Sequence, residues 1–312
     1  MEVWLILAVA AQFVYALVAV FDKYLVTSKT VLHPFSYAFY VSILSALSVV
    51  LFLFDWVQLP FGIQVPSFSD LIVPSAAVVA LSLLAGMAMF VALVNLFEGF
   101  SKSDASDVVP VVTSISAMAT LLFEFLFLAG TFTGMKMLGF FLLAAGTVLV
   151  SHLKFDRILI LHTFASGIAF AVYYSLTKYI FNVTNFDSGF LYTRIGLVIA
   201  ALAVIALPSY RTRIFRKLQN RTVSKRKAGT YVLATKTLAG IASVMTLKAV
   251  QMGSVAVVQA IAGVQFLLLI VFSAVFGRIV HEHFGEKAQP HEIIHKGVAA
   301  TIIALGLFVM FT

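Results

Sequence analysis

Ten separate stretches of this chain stay apolar for about the 20 residues that a helix needs to cross a bilayer, and that repetition leaves few folds open. They run Val3–Phe21, Phe35–Phe54, Leu71–Leu96, Ala105–Leu128, Gly134–His152, Ile158–Phe181, Ser188–Leu207, Tyr231–Val250, Ser254–Val280 and Ile293–Phe311. Strands of a membrane barrel would show about ten residues of alternating polarity; these runs are longer and continuous, so they predict helices. A soluble domain carries about a quarter charged residues. Here 11% are charged and 62% hydrophobic, too little polar surface to face water all round. The chain reads as an all-α, multi-pass membrane protein with the lipid bilayer as its solvent, expected in the cell (inner or plasma) membrane. The first run begins at Val3 behind Glu2 with no basic stretch before it, so it reads as a retained helix rather than a signal peptide.

The absence of cysteine excludes disulfide frameworks, thiolate metal sites and cysteine nucleophiles. No glycine-rich phosphate loop appears, which argues against ATP-driven transport within this chain. No cofactor is expected. The net charge of +8 does not point to nucleic acid, because the basic residues sit in connections, where they orient membrane proteins.

The order of short matches along the chain divides it into five spans plus five. The first span ends Phe21-Asp22-Lys23-Tyr24-Leu25 and the sixth ends Leu176-Thr177-Lys178-Tyr179-Ile180. Each lysine has an aromatic residue eight positions earlier, Tyr15 and Phe170. The third span carries Leu84-Ala85-Gly86 and the eighth Leu238-Ala239-Gly240; each is followed by a glycine, Gly99 or Gly253, and another long span. The second and seventh spans share Ser36…Tyr40 and Ser188…Tyr192. An odd number of spans per copy turns the second copy upside down, the inverted repeat found in secondary transporters. The expected units are residues 1–153 and 154–312.

These features resemble the ten-helix, EamA-like branch of the drug/metabolite transporter superfamily. That family shows an aromatic residue and then a lysine at the end of the first helix of each repeat, here Tyr15/Lys23 and Phe170/Lys178. It also shows a proline and, seven residues on, an arginine at the start of the second helix. Pro34 is present but Val41 replaces the arginine; Arg194 is present but Asp187 replaces the proline. The stretch from Ala249 to Val258 looks like the family's corner between its third and fourth helices, while Ala129-Gly130 stands where the family has Gly-Glu. The resemblance implies a carrier that moves a small metabolite by alternating access, with no enzymatic activity.

Lysine and arginine fall mostly into alternate connections, sixteen on one side against Lys136, Lys178 and Lys248 on the other. The positive-inside rule then places the basic connections in the cytoplasm and both termini outside, whereas members of the resembling family are drawn with both termini inside.

Polar groups within spans are costly and face a cavity or a partner. Gln12, Tyr15, Ala19 and Lys23 share one helical face, as do Phe170, Tyr174 and Lys178, with Tyr173 beside them. Equivalent faces of two inverted copies predict a central cavity. Tyr15, Tyr40, Tyr173, Tyr174 and Tyr192 would supply flat walls with hydroxyl tips, and Asn95, Gln259 and Gln265 hydrogen bonds. Such a cavity suits an amphipathic or zwitterionic small solute. Arg194 is the candidate for a substrate carboxylate and Glu124 for a coupling ion, the alternatives being snorkelling or an ion pair. Lys236 reads as interfacial. A homodimer is left open as the assembly state.

His291-Glu292-Ile293-Ile294-His295 matches the zincin pattern. It makes His291 and His295 weak metal candidates and a membrane-embedded metal-dependent hydrolase the alternative function. That reading needs a further ligand, and no aspartate follows Asp187. A structural or sensory membrane protein is the third reading.

Overall fold

The computed structural model describes residues 2–27, 33–56, 58–59, 63–103, 105–128, 134–150, 157–215, 225–275, 298–299, 301–303, 305–306 and 309. The elements are α1 (Val3–Thr27), α2 (Pro34–Leu44) continued by a 3-10 helix (Ser45–Phe54), a two-residue ladder of β1 (Gln58–Leu59) with β2 (Ile63–Gln64), α3 (Ala76–Lys102), α4 (Ala105–Phe127), α5 (Gly134–Val150), α6 (Arg157–Val183), α7 (Phe186–Ile205), α8 (Pro208–Phe215), α9 (Lys225–Met252), α10 (Val255–Ile261) and α11 (Val264–Val275).

Among the described residues, seven helices are long and apolar enough to cross a membrane: α1, α2 with its 3-10 continuation, α3, α4, α6, α7 and α9. Shorter apolar helices lie at Met137–Gly146 and Val255–Leu269. The tenth predicted span falls mostly outside the described residues. Large apolar side chains point outward, with Phe127 73% and Val73 89% exposed, as a lipid-facing surface requires. The chain is thus an all-helical multi-pass membrane protein.

Several boundaries differ from the prediction for local reasons. The third span starts at Ala76 rather than Leu71: Pro74 lacks the donor a helix interior needs, and the Ser75 hydroxyl accepts from the Val78 amide at 3.3 Å as an N-cap. The second span tightens into a 3-10 helix after Leu44. Along it the Ser42, Ser45 and Ser48 hydroxyls bond back to the carbonyls of Ala38, Ser42 and Ser45 at 2.6–2.8 Å. A 3-10 stretch of this length is uncommon and marks hinges or strain. The ninth span is broken at Ala262–Gly263 into α10 and α11. Pro110 sits inside α4, and the connection between α7 and α9 contains α8.

Helix packing is lopsided. The broadest seams join α3 to α6, α1 to α9, α3 to α7 and α4 to α6. At the α3–α7 seam, Gly86 and Gly196 bring the backbones together. A Cβ on Gly86 would lie 2.0 Å from the Gly196 carbonyl carbon, and one on Gly196 would lie 2.1 Å from the Ser82 carbonyl oxygen. Hydrogen bonds from the segment before α3 reinforce the seam. The Ile72 amide donates to Ser188 Oγ at 2.8 Å, Asn185 Nδ2 to the Asp70 carbonyl at 2.5 Å, and the Ser67 amide to Asp187 at 3.4 Å. Gly240 on α9 repeats the Leu-Ala-Gly triplet of Gly86, yet a Cβ there would meet nothing within 4 Å.

Two lysines tie helix ends together. Lys23 at the end of α1 donates to the carbonyls of Phe100 and Ser103 at 2.8 and 2.6 Å, closing the C-terminus of α3. Lys178 near the end of α6 donates to the carbonyls of Val250, Gln251 and Gly253 at 2.8–3.0 Å, closing that of α9. The last carbonyls of a helix carry partial negative charge and lack intrahelical donors, so a cation is well placed there.

Candidate functional site

A cavity of about 770 Å³ lies between the helices, within the size range of small-molecule sites. It is walled mainly by α1, α2 with its 3-10 continuation, α3, α7 and α9, with contributions from α4, α6 and the α10–α11 corner. Gly240 borders it, and α2 faces α9 across it without a broad seam between the two. Its surface is mostly apolar, so the few polar groups decide what it holds.

The structure brings Gln12, Tyr15, Tyr174, Arg194, Gln259 and Gln265 together in the cavity wall. Tyr174 is held against Tyr173 (ring centroids 4.9 Å) and Phe170 (6.3 Å). Gln259 accepts from Ser116 Oγ at 3.1 Å, and Gln265 Nε2 donates to the Tyr15 carbonyl at 3.0 Å. Arg194 is 7% exposed. Its Nη2 donates to Ser243 Oγ, its guanidinium carbon stands 5.2 Å from the Phe190 ring centroid, and among the described residues its Nε has no hydrogen-bond partner.

Other predicted candidates lie elsewhere. Tyr40 packs edge-on against Phe39. Asn95 bonds the Val91 carbonyl and His162, both at 2.8 Å. Tyr173 is buried behind Tyr174, and the Tyr192 hydroxyl donates to the Ile72 carbonyl at 2.5 Å. Glu124 stands apart from the cavity: it accepts from Ser254 Oγ at 2.9 Å and the Ala256 amide at 2.8 Å, holding the α4–α10 corner. His291 and His295 lie outside the described residues. Among those described, no three of His, Cys, Asp and Glu group so as to hold a metal.

The sequence reading missed a buried ion pair. Lys236 is not interfacial. Its Nζ sits 2.7 and 2.8 Å from the two carboxylate oxygens of Asp22, the two side chains being 8% and 7% exposed. The Tyr37 hydroxyl donates to the same carboxylate at 2.6 Å, and the ammonium stands 4.9 Å from the Tyr37 ring centroid and 5.4 Å from that of Phe97. The α1 stripe into the cavity is therefore Gln12, Tyr15, Ala19 and Asp22; Lys23, one residue on, turns away to the end of α3. The signal was present, since Asp22 continues the three-and-four spacing as well as Lys23 does. Lys248 also reaches the wall, 4.3 Å from the Phe186 ring centroid.

Apolar helices with lipid-facing surfaces around an internal cavity with a sparse polar lining define a multi-pass membrane protein with a small-molecule site. Residues 2–152, just under half of the chain, match the model of the EamA-like transporter family of the drug/metabolite transporter superfamily. The match points to a membrane transporter of that type. A solved crystal structure shares 16% identity with it, covers 97% of this chain and 95% of its own, and superposes with a TM-score of 0.64, a likeness in fold. No curated protein matches it.

Proposed function

We propose that this protein is a secondary carrier that moves a small amphipathic metabolite across the cell membrane by alternating access through the central cavity. The observation that carries the reading is the unequal treatment of that cavity's two flanks. The α3–α7 seam is sealed backbone to backbone, whereas α2 and α9 stand apart with Gly240 facing open space. A carrier needs one sealed and one open flank in each of its end states.

We read the chain as two inverted five-helix units, residues 1–153 and 154–312. The matched lysine clamps support this, Lys23 on the end of α3 and Lys178 on the end of α9. So does the pairing of the broad seams, since exchanging the units turns α3–α6 into α9–α1. The basic connections are assigned to the cytoplasm on charge.

Reconstitution into liposomes tests the proposal, with counterflow measured for a panel of amino acids, nucleosides, sugars and cationic drugs. The wild type moves at least one class of solute. Gly240→Trp fills the cavity mouth and abolishes that flux without lowering Tm, and Tyr174→Ala reduces it. Undiminished flux in Gly240→Trp, or no flux of any solute by folded wild type, sinks the reading.

A further inference from the structure

We infer that the cavity selects organic monoanions with an apolar body, and that Arg194 is the group that grips the anion; this rests on the carrier reading above. Among the described residues, the cavity wall carries four charged side chains, Asp22, Arg194, Lys236 and Lys248. Asp22 is the one carboxylate among them, and its charge is already matched by Lys236, with the Tyr37 hydroxyl as a further donor. With its charge compensated it offers a substrate amine no net counter-charge unless the pair is broken, and breaking a buried pair leaves a costly unpaired charge.

The cations are not matched in the same way. Among the described residues, neither Arg194 nor Lys248 is within ion-pair distance of a carboxylate. Lys248 feels the field of Asp187, which lies outside the cavity wall. Arg194 has only the neutral Ser243 hydroxyl and the face of Phe190. Its Nε is a buried donor with nothing to donate to. A guanidinium presents donors in a planar fork that fits a carboxylate with two parallel hydrogen bonds. An unmet donor on such a fork, in a low-dielectric cavity with an uncompensated positive charge, favours an anion. Phe170, Tyr174, Phe190 and the apolar remainder of the wall provide for the rest of the solute. A polyanion is disfavoured, because among the described residues of the wall only one cation is both buried and free of an acidic neighbour.

The test uses three probes with one phenylpropyl body and different charge: 4-phenylbutyrate, 4-phenylbutyramide and 4-phenylbutylamine. Binding to the purified full-length protein is read from the concentration dependence of Tm, and counterflow is measured in liposomes. The expected result is that the carboxylate binds about tenfold or more tightly than the amide, the scale set by one hydrogen bond to a charged group, and that the amine binds most weakly. Arg194→Gln brings the carboxylate down to the level of the amide. Equal or tighter binding of the amide or amine by the wild type overturns the inference, and that comparison stands even where the variant does not fold. An anion preference that persists in folded Arg194→Gln overturns it as well. If no probe binds while a solute of the wider panel is transported, the anion assignment alone falls. If nothing binds and nothing moves, the carrier reading falls with it.

Discussion

Gly86 and Gly240 occupy the same Leu-Ala-Gly triplet on α3 and α9, and the structure treats them in opposite ways. Gly86 lies against the α7 backbone at a distance no side chain tolerates; Gly240 borders empty space. Small residues let helices meet closely without a side-chain layer between them, and in lipid such packing is what drives association. The seam at Gly86 uses that option, while the α2–α9 flank holds it unused. A small residue at a helix crossing therefore marks where helices can meet. At the sealed crossing the close approach comes with hydrogen bonds that stitch the segment before α3 to the start of α7.

The largest effect that breaks this comparison comes from adding volume at the sealed seam. Gly86→Val puts branched carbons where there is backbone and is expected to prevent recovery of folded protein, a cost above the roughly 1–3 kcal/mol usual for overpacking. Gly240→Val is expected to express and elute normally, and size-exclusion profiles in detergent compare the two. Next comes the ion pair beside the open flank. Lys236→Met leaves Asp22 buried without its cation and is expected to cost about 3–5 kcal/mol, whereas Lys236→Met with Asp22→Leu recovers much of the loss; Tm of the single and double variants checks this. A smaller loss, about 2 kcal/mol, is expected for Lys178→Met, which strips a charged donor from the end of α9. Faster amide exchange at residues 250–253 would localise it. The smallest effect has the opposite sign: Gly240→Ala is expected to raise stability by about 0.5–1 kcal/mol, because a helix-interior glycine is replaced at no steric cost. A fall in Tm instead would mean that the flank is closed in solution.

The sequence made the class, most span positions and the polar heart of the cavity legible, because the bilayer imposes length and apolarity on each helix. Tyr174, Gln259 and Arg194 stood out as polar groups deep within apolar runs, where burial is costly enough to need a reason. Asp22 and Lys236 did not, since each lies near the end of a span, where charge is ordinary; their pairing joins residues 214 positions apart and leaves no local trace. The break at Ala262–Gly263 was hidden by an apolar run whose composition is the same on both sides. Glu124 was visible as a buried acid, but its work at the α10 corner depends on Ser254 and Ala256 arriving from the far half of the chain. Tyr40 shares its residue type with Tyr15 and Tyr174, and Asn95 its amide with Gln12, Gln259 and Gln265, yet neither lines the cavity.

Lys23 fastens α1 to the end of α3, α3 lies along α6, Lys178 fastens α6 to the end of α9, and α9 returns along α1. The four form a closed chain of rods, joined alternately at their tips and along their lengths. Engineers call such an object a linkage: no rod in it can swing without obliging the other three to follow. Any tilt that lets α9 approach α2 is accordingly delivered, through that circuit, to α3 on the far side.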